Sequence, residues 1–360
     1  MRASYAGCVR VVRGSAYNGA RTGPTTRRLP PRIIGGRETT PAARGAARRI
    51  WAGTGRVERA AYTVAALLVI SGLAHLAVLA ATGGTWQGPL SLRKPTTFGL
   101  SFGLTLATVV WATSHVPVRT RARSVLLVVF AAACVLETAL VTLQAWRGVP
   151  SHFNYETGFD TAVSMVLAGG GGVIVLTVLA FTAAALNGAG ASAPSMRLAA
   201  RYGFVVLLLS MAVGGMMIAS GVVEARTGDP QVAYATAGGL KPLHGVAMHA
   251  VLVIPGLAWL LGRGAGSERR RVRIVGAAAA PYTVLLVAAA AVSVLGTAST
   301  GPVIVASGAS AVALAVLAAA GTVALRGVVR ASSKRDRRAE GGGPDQAPTR
   351  RVNWPGARTR

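Results

Sequence analysis

Eight predominantly apolar runs, each about 20 residues or longer, most constrain how this chain can fold. A helix rises about 1.5 Å per residue, so roughly 20 residues cross the ~30 Å hydrocarbon core of a bilayer. Within that core each backbone polar group must bond inside its own segment, and the alternating strands of a membrane barrel are not found. We therefore predict an all-α, polytopic transmembrane helix bundle with about eight spans. The runs cover residues 61–82, 96–115, 124–146, 160–186, 198–222, 242–262, 273–297 and 302–326.

Composition agrees with a membrane chain and separates it into three parts. Hydrophobic residues make up 52% of the sequence and charged residues 14%, which is too apolar for a soluble domain. Most of the net charge of +27 lies in residues 1–60 and 327–360, which we predict to be basic, disordered tails around a transmembrane domain at 61–326. These tails carry few aromatic residues for base stacking. We expect them to bind anionic lipid head groups of the bilayer rather than a specific nucleic acid.

The loops between the runs predict the orientation of the chain. If the N-terminus is inside, the inner loops hold ten Arg against one Glu, and the outer loops hold five Lys or Arg against four Asp or Glu. Loops on the cytoplasmic side carry the excess of Lys and Arg. We therefore expect a multi-pass protein of the cytoplasmic membrane with both termini in the cytoplasm.

Three ionisable side chains are expected deep in the spans. Counting from the predicted outer helix ends places His75 and His249 at a depth of ~10 Å and Glu137 at ~13 Å. The glycine run at 168–172 passes through the same layer, and Gln144 lies two helical turns from Glu137 on the same face. Ionisable groups inside a membrane are costly and usually functional. The pattern predicts a polar cavity that opens to the outside.

The outer loop after the third run is dense in polar side chains. His152 and Asn154 are candidates to bind a proton or a ligand, and Asp160 is expected to be the N-cap of the fourth helix. Arg93, Lys94 and Arg147 are candidates to attract an anion. Snorkelling of the Arg93 and Lys94 side chains to the interface is the open alternative.

A pair of histidines lies in the sixth run. His244 and His249 are five residues apart, about 140° around a helix, so they do not form the i, i+4 pair that chelates one ion. Both are candidates for ligand binding. A neutral imidazole that bonds to a neighbouring helix is the open alternative for each histidine.

Segments 93–103, 137–154 and 244–249 resemble an uncharacterised family of multi-pass membrane proteins from bacteria, largely actinobacteria. The segments contain Arg-Lys-Pro followed by Ser-Phe-Gly, then Glu and Gln before Arg-Gly and Ser-His-Phe-Asn, and two His separated by four residues. The resemblance covers roughly residues 60–300. It implies a membrane architecture and no particular activity.

Ser71 and His75 are also similar to the Ser-x3-His element of membrane hydrolases related to alkaline ceramidases and adiponectin receptors. That resemblance implies zinc bound by histidines. Those proteins complete the site with His-x3-His, whereas His244 and His249 are one residue further apart, and no aspartate lies deep in a span of this chain.

Three functions fit these patterns. The first is transport or binding of a small solute, linked to protons through Glu137. The second is an intramembrane enzyme, in which His75, Glu137 and His249 hold zinc or another metal, or the two deep histidines hold haem. The third is a structural or signalling subunit whose polar residues only join helices. The common motifs of soluble enzymes, such as the P-loop, GxSxG and HExxH, are not found.

Overall fold

The computed structural model describes residues 54–86, 88, 90–188, 192–227, 239–295 and 300–340. Every regular element in these ranges is an α-helix, and each of the eight helices contains a segment long and apolar enough to cross a membrane. The prediction of an all-α, multi-pass membrane bundle is confirmed. The helices are α1 (Arg56–Ala81), α2 (Arg93–Thr113), α3 (Thr120–Trp146), α4 (Gly158–Asn187), α5 (Pro194–Thr227), α6 (Lys241–Arg263), α7 (Glu268–Leu295) and α8 (Thr300–Glu340).

Two helix boundaries correct the predicted tails. α1 begins at Arg56 because the Glu58 carboxylate accepts a hydrogen bond of 2.7 Å from the Gly55 backbone N–H, which caps the first turn. α8 continues to Glu340, although disorder was predicted from residue 327. Residues 328–340 contain no Gly or Pro and are rich in Ala, Arg and Lys, which favour helix. The parts of the tails at 1–53 and 341–360 lie outside the described residues.

Polar contacts fix the directions of the first three helices. Arg123 at the start of α3 forms an ion pair with Glu58 of α1 and donates a hydrogen bond of 2.7 Å to the Val110 carbonyl of α2. At the other end of α3, the Trp146 indole donates a hydrogen bond of 3.0 Å to His75 of α1. α1 and α3 are therefore parallel, and α2 is antiparallel to both. We call the two ends of the bundle the Arg123 end and the Trp146 end.

Apolar side chains form the interior and also cover the outside. One core contains residues from each of the helices α1 through α6, and a second contains residues from each of α5 through α8. Leu67, Val125 and Leu176 point outward and are 60%, 61% and 66% exposed. Large apolar residues over the outer surface match hydrocarbon and not water as the surrounding medium.

Small residues bring α1 and α2 into backbone contact. A Cβ atom added to Gly99 would lie 2.7 Å from the backbone nitrogen of Gly72 and 2.7 Å from the carbonyl oxygen of Leu68. One added to Gly103 would lie 2.7 Å from the carbonyl oxygen of Ala65. Gly99 and Gly103 thus form a GxxxG contact, in which the absence of side chains lets two membrane helices approach closely.

Candidate functional site

Glu137 is buried between α3 and α4 and is only 4% exposed. Its Oε1 atom has no hydrogen-bond partner in the described part of the chain. The carboxyl group occupies the space that a side chain on Gly170 would fill, and the backbone of Gly171 lies beside it. An ionised carboxylate in this place would be very costly, whereas a neutral carboxylic acid is tolerated.

The glycine run of α4 creates this space through one of its members. Gly170 faces Glu137, whereas a Cβ atom on Gly169, Gly171 or Gly172 would have no neighbour within 4 Å. The glycine run of α4 and Glu137 therefore meet. Among these four glycines, Gly170 is the one at which a side chain would clash with a neighbour.

Gln144 belongs to a separate network that joins the end of α3 to the start of α4. Its side-chain amide nitrogen donates a hydrogen bond of 2.8 Å to Asp160, and its carbonyl oxygen accepts one from Arg147. Arg147 also forms an ion pair of 2.5 Å with Asp160. Gln144 is fully buried and satisfied, so it does not line an open path above Glu137. Arg147 is paired with a carboxylate, which corrects its prediction as an anion-attracting residue.

Asp160 has a different role from the predicted N-cap. Thr157 is the N-cap of α4, and its hydroxyl accepts a hydrogen bond of 3.1 Å from the Asp160 backbone N–H. The same hydroxyl donates a bond of 2.6 Å to the Asp160 carboxylate. Asp160 therefore lies three residues inside the helix. From there its carboxylate reaches the end of α3, a tertiary contact that the local cap pattern does not reveal.

Asn154 holds the loop between α3 and α4. It is 3% exposed, its backbone N–H and carbonyl both bond to the Ser164 hydroxyl of α4, and its side-chain oxygen accepts from the Glu156 backbone. Phe153 next to it has a φ of 61°, an uncommon conformation for a residue with a side chain. Its ring fills the space beside Gly221 of α5. These contacts make Asn154 a support of the loop conformation.

His152 lies beside apolar rings and a cation. Its Nδ1 shares a hydrogen bond of 3.0 Å with the Ser151 hydroxyl, and its ring centroid is 5.8 Å from that of Phe98 in α2. Burial, assisted by the positive charge of Lys94, lowers the pKa of His152 to about 3. The imidazole is therefore neutral at physiological pH.

His75 has both ring nitrogens engaged. Nδ1 donates a hydrogen bond of 2.7 Å to the Ser71 carbonyl, and Nε2 accepts the one from Trp146. The lone pair that a metal ion would need is thus used by the indole N–H. Trp146 is nine residues from Glu137, about 13.5 Å along the axis of α3.

The two histidines of α6 make separate contacts. His244 donates a hydrogen bond of 2.8 Å from Nδ1 to the Ser210 carbonyl of α5, and Ser210 returns one of 2.9 Å to the His244 carbonyl. His249 donates from Nδ1 to the Gly245 carbonyl of its own helix, at 2.7 Å. His244 therefore joins α5 to α6, which is the alternative considered for it.

The predicted metal site is not assembled in the described ranges. No three His, Cys, Asp or Glu side chains there lie close enough together to hold a metal ion. The set of His75, Glu137 and His249 is therefore corrected: a similar expected depth did not place the side chains together. Helix rotation and neighbours decide that, and neither follows from depth.

A cavity of about 460 Å³ is present at the Trp146 end, between α1 and the segment before α2. Leu79, Thr82, Ser91 and Leu92 are among the residues that line it. None of the predicted site residues does. The predicted cavity lined by His75, Glu137, Gln144 and His249 is thus not this one.

Arg93 and Lys94, the remaining candidates, lie in the first turn of α2 at the Trp146 end, near the first turn of α6. Arg93 and Lys94 begin α2, and Lys241 begins α6. The charge of Lys241 acts on Lys94, and that of Arg93 acts on both lysines. Lys241 was not among the predicted site residues. The signal that could have found it is its position before a proline at a helix start, as in Lys94-Pro95.

No protein-family model, curated protein or solved structure matches this chain. The resemblance of residues 60–300 to a bacterial membrane family therefore stays a prediction.

Proposed function

We propose that this chain transports or binds a small solute in a proton-linked manner, with Glu137 as the group that takes up and releases the proton. The observation that carries this is the buried Glu137 Oε1, which has no partner in the described residues and lies against Gly170. Buried polar atoms in proteins are nearly always satisfied. The hydroxyls of Thr138 and Thr142 in α3 also have no partner in the described residues, but Glu137 is ionisable, and an unsatisfied ionisable group deep in a membrane helix favours a functional role over a structural one.

The contacts around Glu137 argue against simple helix adhesion. A polar residue that joins membrane helices bonds across the interface, as Gln144 does with Asp160 and His244 does with Ser210. Glu137 instead faces Gly170, which offers no side chain, and contacts α4 through the backbone of Gly171, while its Oε1 has no partner in the described residues. A carboxyl group in such a place gains little from adhesion and retains its capacity to exchange a proton.

The alternatives have less support from the described contacts. A zinc site needs three converging ligands, and no such group is found in the described ranges. A haem ligand needs an imidazole nitrogen with an available lone pair, whereas the Nε2 of His75 accepts from Trp146. A structural or signalling subunit accounts for the Asp160 network but leaves the unsatisfied Oε1 of Glu137 unexplained. Both alternatives remain outcomes of the following experiment.

Glu137→Gln is expected to remove proton exchange and to preserve the fold, because the amide keeps the shape and cannot titrate. The hydrophobic reagent dicyclohexylcarbodiimide reacts with protonated carboxyl groups in apolar surroundings. It should modify Glu137 in the wild type, and modification should decrease as the pH rises. Peptide mass spectrometry locates the product. Asp160 is the internal control, because its ion pair with Arg147 keeps it ionised.

Proton movement is measured in vesicles that contain an internal pH dye and the purified protein. A membrane potential should drive proton entry through the wild type and not through Glu137→Gln, which should match protein-free vesicles. Equal flux with unchanged melting temperatures would reject the proposal. Metal or haem that copurifies in stoichiometric amount and is lost in the variant would replace it with the enzyme.

We further propose that the Arg123 end is cytoplasmic and the Trp146 end is outside, in a bacterial cell membrane. The distribution of Lys and Arg supports this, because the Arg123 end includes Arg119, Arg121 and the arginines of 263–273. The same charges and the basic end of α8 suit anionic lipid head groups. A reporter active only outside the cytoplasm is expected to work when fused after residue 155 and to fail at the C-terminus. Activity at the C-terminus would reverse the orientation.

A further inference from the structure

α3 and α4 are antiparallel, and two contacts give their register. Gln144 bonds to Asp160 near the Trp146 end, and Glu137 lies against Gly170 further into both helices. Residue numbers therefore increase toward the Trp146 end in α3 and decrease toward it in α4. About 10 Å of α3 lies between these contacts and separates the Glu137 carboxyl group from the polar network at that end.

Apolar side chains fill this stretch. Val141 of α3 and Val163 and Leu167 of α4 form a small core of their own, in which each residue is at most 5% exposed. Phe98 of α2 and Leu140 of α3 pack against this core. We call these five residues the Val141 cluster.

The Val141 cluster lies between Glu137 and the Trp146 end. Val141 is one helical turn after Glu137 on the same face of α3. Leu167 is one turn before Gly170 on the corresponding face of α4. Both positions are nearer to the Trp146 end, so the cluster adjoins the carboxyl group on both helices.

The unpartnered hydroxyls of Thr138 and Thr142 lie on another side of α3. Thr138 follows Glu137 in the sequence and Thr142 follows Val141, so each is about 100° further around the helix. Neighbours of this kind on a helix do not face the same way. The two hydroxyls therefore do not interrupt the apolar contact between α3 and α4.

The apolar stretch on the other side of Glu137 is longer. Toward the Arg123 end, α3 continues for about 21 Å before its first charged side chain, at Arg123. Phe130, Ile174 and Phe181 are among the buried residues along this stretch and belong to the core that contains residues of α1 through α6. The Val141 cluster is thus the thinner of the two apolar barriers along the contact between α3 and α4.

A barrier of this kind controls when Glu137 can exchange a proton. Protons move through proteins along water molecules or along hydrogen-bonding side chains. Tightly packed apolar side chains exclude water until they move apart, and apolar constrictions gate membrane pathways in this way. Glu137 is therefore closed to the Trp146 end in this conformation.

We propose that the Val141 cluster is a gate, which opens to let Glu137 exchange its proton with water at the Trp146 end. Val141 and Leu167 are its central residues, because they adjoin the carboxyl group. The gate rests on the proposed function and adds to it the side from which the proton arrives. It also makes the exchange a step that requires a second, open conformation.

Leu167→Ser tests the gate, because serine both widens the contact and admits water. A water-soluble carbodiimide, added to the protein in detergent at constant pH, should modify Glu137 at least about three times faster than in the wild type. Peptide mass spectrometry locates and quantifies the product. Val141→Thr nearly keeps the volume of valine, so it should fold even if Leu167→Ser does not, and it should also accelerate modification.

Val178→Thr is the matched control on the opposite side of Glu137. Val178 of α4 is 1% exposed and belongs to the longer apolar stretch, so its variant should react at the rate of the wild type. Dicyclohexylcarbodiimide, which enters through detergent or lipid, should modify Glu137 at similar rates in all of these variants. Equal acceleration with both reagents would indicate a loosened bundle and would overturn the gate.

The gate and the proposed function fail in different ways. Unchanged modification in Leu167→Ser and Val141→Thr, or equal acceleration in Val178→Thr, overturns the gate, and Glu137-dependent proton flux in the same preparation would then retain the proposed function. Faster modification in the two gate variants of a protein that moves no protons would reject the proposed function and leave the gate standing.

Discussion

Replacing Gly99 by alanine is expected to push α1 away from α2 and to lower the free energy of unfolding by about 1–3 kcal/mol. The new Cβ atom would meet the Gly72 nitrogen and the Leu68 carbonyl, each at 2.7 Å. Both are backbone atoms of one helix, so neither can move without the helix. Alanine also favours the helix by up to about 1 kcal/mol, and the contact has to outweigh this gain. Unfolding in detergent, followed by circular dichroism, measures the change.

Gly171→Ala is the matched control for this prediction. Gly171 lies inside α4, and a Cβ atom there has no neighbour within 4 Å. The Gly171→Ala variant gains the same helix propensity without the clash, so its free energy of unfolding should equal that of the wild type or exceed it slightly. If both variants change the free energy of unfolding by the same amount, Gly99 does not lie against the backbone of α1.

The helices themselves are predictable because their signal is local. About 20 apolar residues in succession determine that a segment spans a bilayer, whatever its neighbours are. The ends are less predictable, since hydropathy does not distinguish a polar helical turn from a polar tail. α8 shows this, because its helix continues to Glu340 through residues that are charged but favour helix.

Pairing between helices depends on rotation and neighbours, which one sequence does not encode locally. The GxxxG pattern of Gly99 and Gly103 is visible in the sequence, yet its partner Gly72 is not. Asp160 is recognisable as a residue of a helix start, but its bonds to Gln144 and Arg147 are tertiary. Local patterns therefore indicate the type of each residue's role and leave its partner open.

For the candidate site too, the sequence identified individual residues but not the residues they contact. The rarity of acidic residues within spans singled out Glu137, and the depth count placed the glycine run of α4 in the same layer. That count also placed His75 and His249 in the same layer. Depth fixes one coordinate of a side chain, whereas the contact of His75 with Trp146 depends on the direction in which each helix faces.

Gly170→Ala is expected to displace the Glu137 carboxyl group and to reduce proton flux as Glu137→Gln does. The added methyl group would clash with Oε1 of Glu137, so the side chain has to turn away. Carbodiimide modification at residue 137 should decrease together with the flux. Stability should change by no more than about 1 kcal/mol, because the flexible end of the Glu137 side chain can turn away and alanine favours the helix. Vesicle flux and unfolding in detergent measure the two effects.

Gly169→Ala, one residue away in the same helix, has no neighbour within 4 Å and should retain flux and stability. A double variant then separates a direct contact from a general defect in α4. With Glu137 replaced by alanine, the space beside Gly170 is no longer filled, so Gly170→Ala should cost little. The difference between the two backgrounds is the coupling energy of the pair, expected at about 1 kcal/mol. A coupling near zero would mean that Glu137 does not occupy the space beside Gly170.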